Sequence, residues 1–185
     1  MQKHKTYKTC CCIGHRKIKI TEELTKEIYD YVEHLIVCEN VKRFLFGSKS
    51  EFDELCHRII TELKEKYREI KRVGYTCRGE SVIKESEREK WEKIYSDIEK
   101  RKVRLFGVEE EFEHKNKYVA CKGAYIERNQ AMIDDSDYCL FYYNEHYVAM
   151  QIEKNVLLQI PPKSGTAIAY KYAKRKNKKI KNFYK

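Results

Sequence analysis

The chain has 185 residues, of which 42% are hydrophobic, 12% aromatic and 37% charged, with two prolines and seven glycines. That is enough apolar material for one ordinary domain with its own core, and too much for a disordered chain. No apolar run approaches the roughly 20 residues of a membrane span, and no secretory apolar segment follows the basic start MQKHKTYK. We therefore expect a soluble, cytoplasmic protein with no membrane partner, whose eight cysteines are reduced thiols rather than a disulfide framework.

The net charge of +10 is unevenly spread. Residues 1–20 hold six Lys or Arg and no acid, residues 163–185 hold nine and no acid, and residues 21–162 hold 24 cations against 29 acids. The two ends are basic and the middle is acidic. Two basic ends would converge on one anion site if their strands were neighbours, while the lysines beyond Tyr170 read equally well as solvated charge. Richness in Lys, Ile, Tyr and Asn fits AT-rich coding, as in low-GC bacteria and their phages.

In chain order, YKTCCCI is a short apolar run ending at Gly14, which reads as a strand buried on both faces and favours a parallel sheet. Thr21 then caps a helix whose first turn is acidified by Glu22 and Glu23. Leu24, Ile28, Val32, Leu35 and Ile36 recur at helical spacing, to about Val37. VKRFLFG is a second strand stopped by Gly47, after which Ser50 caps a helix with Phe52, Leu55, Cys56, Ile59, Ile60 and Leu63 on one face. IKRVGYTC is a third strand. A polar stretch from Arg78 to about Lys102 follows, helical in its middle, and VRLFG is a further strand. YVACKGAYIERNQAMIDDSD contains a helix bearing Tyr125, Met132 and Ile133, and it delivers a strand at Tyr138 to Tyr143. His146 to Ile160 reads as a hairpin, PPKSG as a turn before an Ala-rich helix, and KKIKNFY as a last strand.

Strands alternating with helices predict an α/β, Rossmann-like doubly wound sheet, mostly parallel, in a single domain. Ligands of such sheets bind beyond the carboxyl ends of the strands. The loops placed there are GHRK, FGSKSEFD and PPKSGT, each combining Gly or Ser with polar or charged groups suited to a nucleotide phosphate. Consecutive strand residues alternate faces, so Cys10, Cys11 and Cys12 cannot converge on one ion. They read as buried small hydrophobes, with a reactive thiol as the other reading. No metal and no resident cofactor are expected.

CCCIGHRK, FGSKSEFDELC, YIERNQAMIDDSDYCLFYYNE and PKSGTAIAYKYAKRKNKKI together resemble the SLOG superfamily (SMF/DprA and LOG), specifically its small bacterial YpsA-like branch. The resemblance covers both ends and most of the chain, and it fails between about residues 78 and 114, where a variable insert is expected. It implies a Rossmann-like fold that binds nucleotides or nucleotide-derived ligands, often as a homodimer or higher homo-oligomer. It places Gly14, His15 and Arg16 in the first ligand loop, with Arg16 as phosphate partner or surface salt bridge, and with His15 bonding a ribose or bracing the loop. Gly47 and Ser48 fall in the second loop. Glu51 matches a family acid suited to ribose hydroxyls, and reads equally as a first-turn acid; Asp53 reads as the capping-box partner of Ser50.

ERNQAM is similar to a LOG signature in which a helix arginine reaches the scissile nucleotide. Arg128 matches that arginine, Glu127 precedes it, and Asn129 replaces the usual lysine. In the last loop Lys163 and Ser164 stand for the first two glycines of the LOG phosphate motif, Gly165 and Thr166 are retained, and Ala169 occupies the position of the catalytic glutamate. An alanine neither stabilises a cationic sugar nor activates water. Glu51, Glu127 or Asp135 would have to substitute, so the resemblance leans away from catalysis.

Three functions follow in order. The first is binding of a nucleotide-derived small molecule, such as an ADP-ribose or NAD derivative, as sensor, carrier or sequestering protein. The second is LOG-like phosphoribohydrolase chemistry on an N-glycosidic bond. The third is single-stranded nucleic-acid binding, although Tyr142, Tyr143 and Tyr147 read as strand residues rather than stacking platforms.

Overall fold

The computed structural model describes residues 7–47, 50–78, 83–84, 86, 89, 106–115, 121–147 and 164–185. Among them the main sheet has six strands, all parallel: β1 (Lys8–Gly14), β2 (Val41–Phe46), β3 (Lys71–Cys77), β6 (Glu110–His114), β7 (Tyr138–Tyr142) and β8 (Lys179–Asn182). Two further short strands, β4 (Ile83–Lys84) and β5 (Phe106–Val108), pair with each other apart from it. The strand order is β6-β3-β2-β1-β7-β8. The chain winds outward from β1 in one direction and resumes from β1 in the other, so the sheet is doubly wound and its switch point lies between β1 and β7. This is the Rossmann-like α/β architecture the sequence predicts.

Helices α1 (Glu22–Glu39) and α2 (Glu51–Lys66) cover one face, and α3 (Lys122–Asp134) and α4 (Gly165–Arg175) cover the other. The local signals act where they stand in the chain. The Thr21 hydroxyl accepts from the Leu24 amide and starts α1; Asn40, at a left-handed φ of 56°, ends it beyond the expected Val37. Ser50 Oγ accepts from the Asp53 amide and starts α2, whose Phe52, Leu55, Ile59, Ile60 and Leu63 are all buried. Each such side chain contributes about 1.5–3 kcal/mol of apolar burial.

The cysteines divide as alternation requires: Cys10 and Cys12 join the core under α1 and α2, and Cys11 joins the core under α3 and α4. Burial pushes the thiols of Cys10, Cys11 and Cys56 up, so these are packed thiols rather than thiolates.

Three expectations change. The strand expected at VRLFG begins only at Phe106 among the described residues and belongs to the small β4–β5 sheet. The strand that extends the main sheet is β6, Glu110–His114, inside the segment expected to be an insert. It is pinned by ion pairs: Arg72 Nη2 donates to Glu109 at 2.5 Å, and Arg43 and Lys71 reach Glu110 at 2.8 and 2.9 Å. Third, the basic ends do not share one site: Lys8 and Lys179 reach Glu39 at 2.6 and 4.0 Å beside the starts of β1 and β8, Lys181 and Lys185 reach Glu27 of α1 at 2.9 Å, and Lys17 reaches Glu51 at the loop end. The helix expected within 86–100 and most of the hairpin expected at 146–160 lie outside the described residues.

Candidate functional site at the carboxyl rim of the sheet

The switch point is built by close backbone approaches. A Cβ placed on Gly14, the last residue of β1, would lie 2.3 Å from the Phe52 Cβ, so only glycine lets α2 press against the end of β1. A Cβ on Gly47, just past β2, would lie 2.7 Å from Arg128 Nη2. The Arg128 guanidinium, rooted on α3 on the opposite face, is therefore laid against the backbone at the end of β2. Arg128 is 3% exposed, is 5.3 Å from the centroid of the Tyr125 ring, and donates from Nε and Nη2 to Asn129 Oδ1 at 3.3 Å.

The start of α4 is tied to the same point. Thr166 Oγ1 donates to the Gly14 carbonyl at 2.9 Å, and Ser164 Oγ caps the Ala167 amide at 3.1 Å. The first-turn amides of α4 have no intrahelical acceptor by construction, which leaves positive character beside Gly165, where an added Cβ would meet nothing within 4 Å. Ser48 and Lys163 lie outside the described residues.

His15 follows Gly14 and is 1% exposed. Its Nε2 lies 2.9 Å from the Asn144 amide nitrogen and 3.1 Å from the Asn144 carbonyl, beyond the end of β7, so one residue serves that nitrogen in either tautomer. Nδ1 is buried and has no hydrogen-bond partner. Burial holds the His15 pKa down to about 4, so the ring is neutral at physiological pH. It stacks on Tyr147 with centroids 3.9 Å apart and planes 11° apart, and Tyr143 stacks on Tyr170 at 4.6 Å. Tyr143 and Tyr147 are thus not strand residues: β7 stops at Tyr142, and both rings stand at the rim.

Two residues of the first two loops take other places. Arg16 is exposed and its side chain has no partner among the described residues, while its carbonyl accepts from the Glu51 amide at 3.1 Å. The Glu51 carboxylate accepts from Lys17 Nζ at 2.5 Å and from the Ile18 amide at 3.0 Å, which braces the first loop against α2. Ala169 is buried in the core under α3 and α4. Of the substitute acids considered, Asp135 accepts from the Tyr75 hydroxyl and Glu127 is exposed.

The residue that sequence reasoning passed over is Asp53. It stands at the third position of α2, is 5% exposed, and its Oδ1 has no hydrogen-bond partner. Its amide bonds Ser50 as capping requires. Burial pushes its carboxyl up to about 7 against the pull of the Arg128 charge. The signal was available: Asp53 shares the apolar stripe of Cys56 and Ile60 at i+3 and i+7, an odd place for an acid with only a capping task.

No family model and no curated protein matches the chain. Among solved structures it is similar to DNA processing protein A from Helicobacter pylori, a protein described for a unique single-stranded DNA binding mode. The TM-score is 0.53 at 13% identity, over 93% of this chain and 63% of that one. The likeness is one of fold, and this chain spans less than two thirds of that protein's length.

Proposed function

We propose that the protein binds a nucleotide-derived small molecule, of the ADP-ribose or NAD-derived kind, at the carboxyl rim between β1 and β7, and serves as sensor, carrier or sequestering protein for it. The observation that carries this is that the rim around the switch point holds a buried arginine laid on the Gly47 backbone, the start of α4 tied to Gly14, and a buried histidine whose Nδ1 has no partner. Arginine and helix amides suit phosphate, and a stacked aromatic group suits a base. The four motifs support placement in the YpsA-like branch, with the homodimer that this branch implies, and the lack of a secretory apolar segment after MQKHKTYK supports a cytoplasmic setting. Hydrolysis of an N-glycosidic bond is the weaker reading, because the position of the LOG glutamate is an alanine packed into the core.

The test is a thermal-shift screen against AMP, ADP-ribose, NAD, cyclic ADP-ribose isomers and cyclic dinucleotides, with mass spectrometry of each recovered ligand. A ligand at about 100 times its Kd adds roughly 2.7 kcal/mol, a shift of a few degrees. Recovery intact supports binding; recovery cleaved makes the protein an enzyme; no shift with any ligand removes the reading.

Single-stranded nucleic-acid binding has one specific observation in its favour besides the fold likeness: Tyr143 and Tyr170 stack at the rim with Lys174 Nζ 4.9 Å from the centroid of the Tyr170 ring. It predicts affinity for an oligothymidine that falls steeply with salt.

A further inference from the structure

Asp53 is bracketed by the parts of the proposed site. Its neighbour Phe52 fills the space beside Gly14, its own Oδ1 is buried with no hydrogen-bond partner, and the charge of Arg128, laid beside Gly47, acts on its carboxyl. The groups facing it are Arg128 from α3, Cys12 from β1, and Ser50, Glu54 and Cys56 from α2. A buried carboxylate with a bare oxygen is unstable unless something pairs with it, and an anion brought to Arg128 would set two like charges side by side.

We propose that Asp53 is a ligand-contacting residue of this site: as a phosphate-bearing ligand is drawn to Arg128, the carboxyl takes up a proton from solvent and donates a hydrogen bond to a phosphate oxygen. This rests on the nucleotide-binding reading above. No bond other than the O–H is made, and the proton comes from water or buffer. The alternative chemistry, a carboxylate accepting from a ribose hydroxyl, has the opposite linkage, since it favours the ionised form.

The probe is ADP-ribose, whose diphosphate diester does not titrate near neutrality, studied by calorimetry from pH 6 to 8.5 in two buffers of different ionisation enthalpy. His15 stays neutral throughout and adds nothing to the count. The wild type should take up a fraction of a proton at pH 7 and lose about tenfold in affinity between pH 7 and 8.5. Asp53→Asn, which mimics the neutral carboxyl, should bind with affinity that changes less than twofold over that range. A wild type with no proton uptake, an affinity that rises with pH, or an Asp53→Asn variant that keeps the slope overturns the proposal. If that variant fails to fold, the wild-type proton count decides alone. If ADP-ribose binds neither protein at any pH while the wild type remains folded, the nucleotide reading itself fails, which is a different result from binding without proton uptake.

Discussion

At the amino-terminal edge of the sheet Glu39 collects Lys8 at 2.6 Å, the Tyr138 hydroxyl and Lys179 at 4.0 Å, while Asp137 accepts from the Thr9 amide at 2.9 Å. At the carboxyl rim His15 Nδ1, just past β1, Asp53 Oδ1, in the first turn of α2, and Thr76 Oγ1, near the end of β3, are buried with no partner. The Thr9 hydroxyl and Arg43 Nε, near the starts of β1 and β2, are likewise buried without a partner among the described residues. An unpaired buried polar group costs about 1–3 kcal/mol. Among the described residues the first end pairs its charges and the second holds three of the five bare side-chain atoms, and on the reading proposed above that second end is the one kept for a ligand.

That contrast can be broken from the largest effect downward. Gly14→Val forces a side chain into Phe52 and should cost about 3 kcal/mol or more, seen as a fall in Tm; an unchanged Tm would mean that α2 does not press on β1. Arg72→Met, at the start of β3, should lower stability in urea by about 3 kcal/mol, because it strips Glu109 of its buried partner.

Asp53→Asn should do the reverse. The raised pKa means that the native state holds a proton the unfolded chain releases, so wild-type stability falls as pH rises from the ordinary carboxylate range to about 7. The variant should melt higher, by about 2 kcal/mol above pH 7, with the gap closing below pH 4. The smallest effect is Glu39→Gln. Lys8 and the Tyr138 hydroxyl hold the Glu39 carboxyl down to about 2, so its contribution is present above the ordinary carboxylate range and is lost as pH falls from there to about 2. The variant should melt slightly lower at pH 7 and equal to wild type at pH 2, if both are still folded there.

The first two βα units were legible because every signal agreed. Thr21 and Ser50 cap, Gly14 and Gly47 stop strands, and the apolar spacing marks one face of α1 and α2. Alternation along β1 also placed Cys10, Cys11 and Cys12 on opposite cores. Strand β6 was not legible, since EEFEH carries three acids and no apolar alternation, and what holds it is pairing to Arg72, Arg43 and Lys71 from β2 and β3. Within the candidate site, Gly47 lies against Arg128 and Thr166 bonds the Gly14 carbonyl. Glu51 turned to Lys17 because a first-turn acid of α2 also lies within reach of the loop between β1 and α1. Charge counts showed basic ends but carry no information about which end of a strand they occupy, and the lysines divide among Glu39, Glu27 and Glu51.

Whether the rim is the binding end is decided most directly by hydrogen–deuterium exchange with and without millimolar ADP-ribose. Slower exchange is expected in peptides covering residues 14–18, 50–55 and 164–170, with no change around Glu39 and the start of β8. Protection confined to the amino-terminal edge, or none anywhere, would contradict a binding site at the rim.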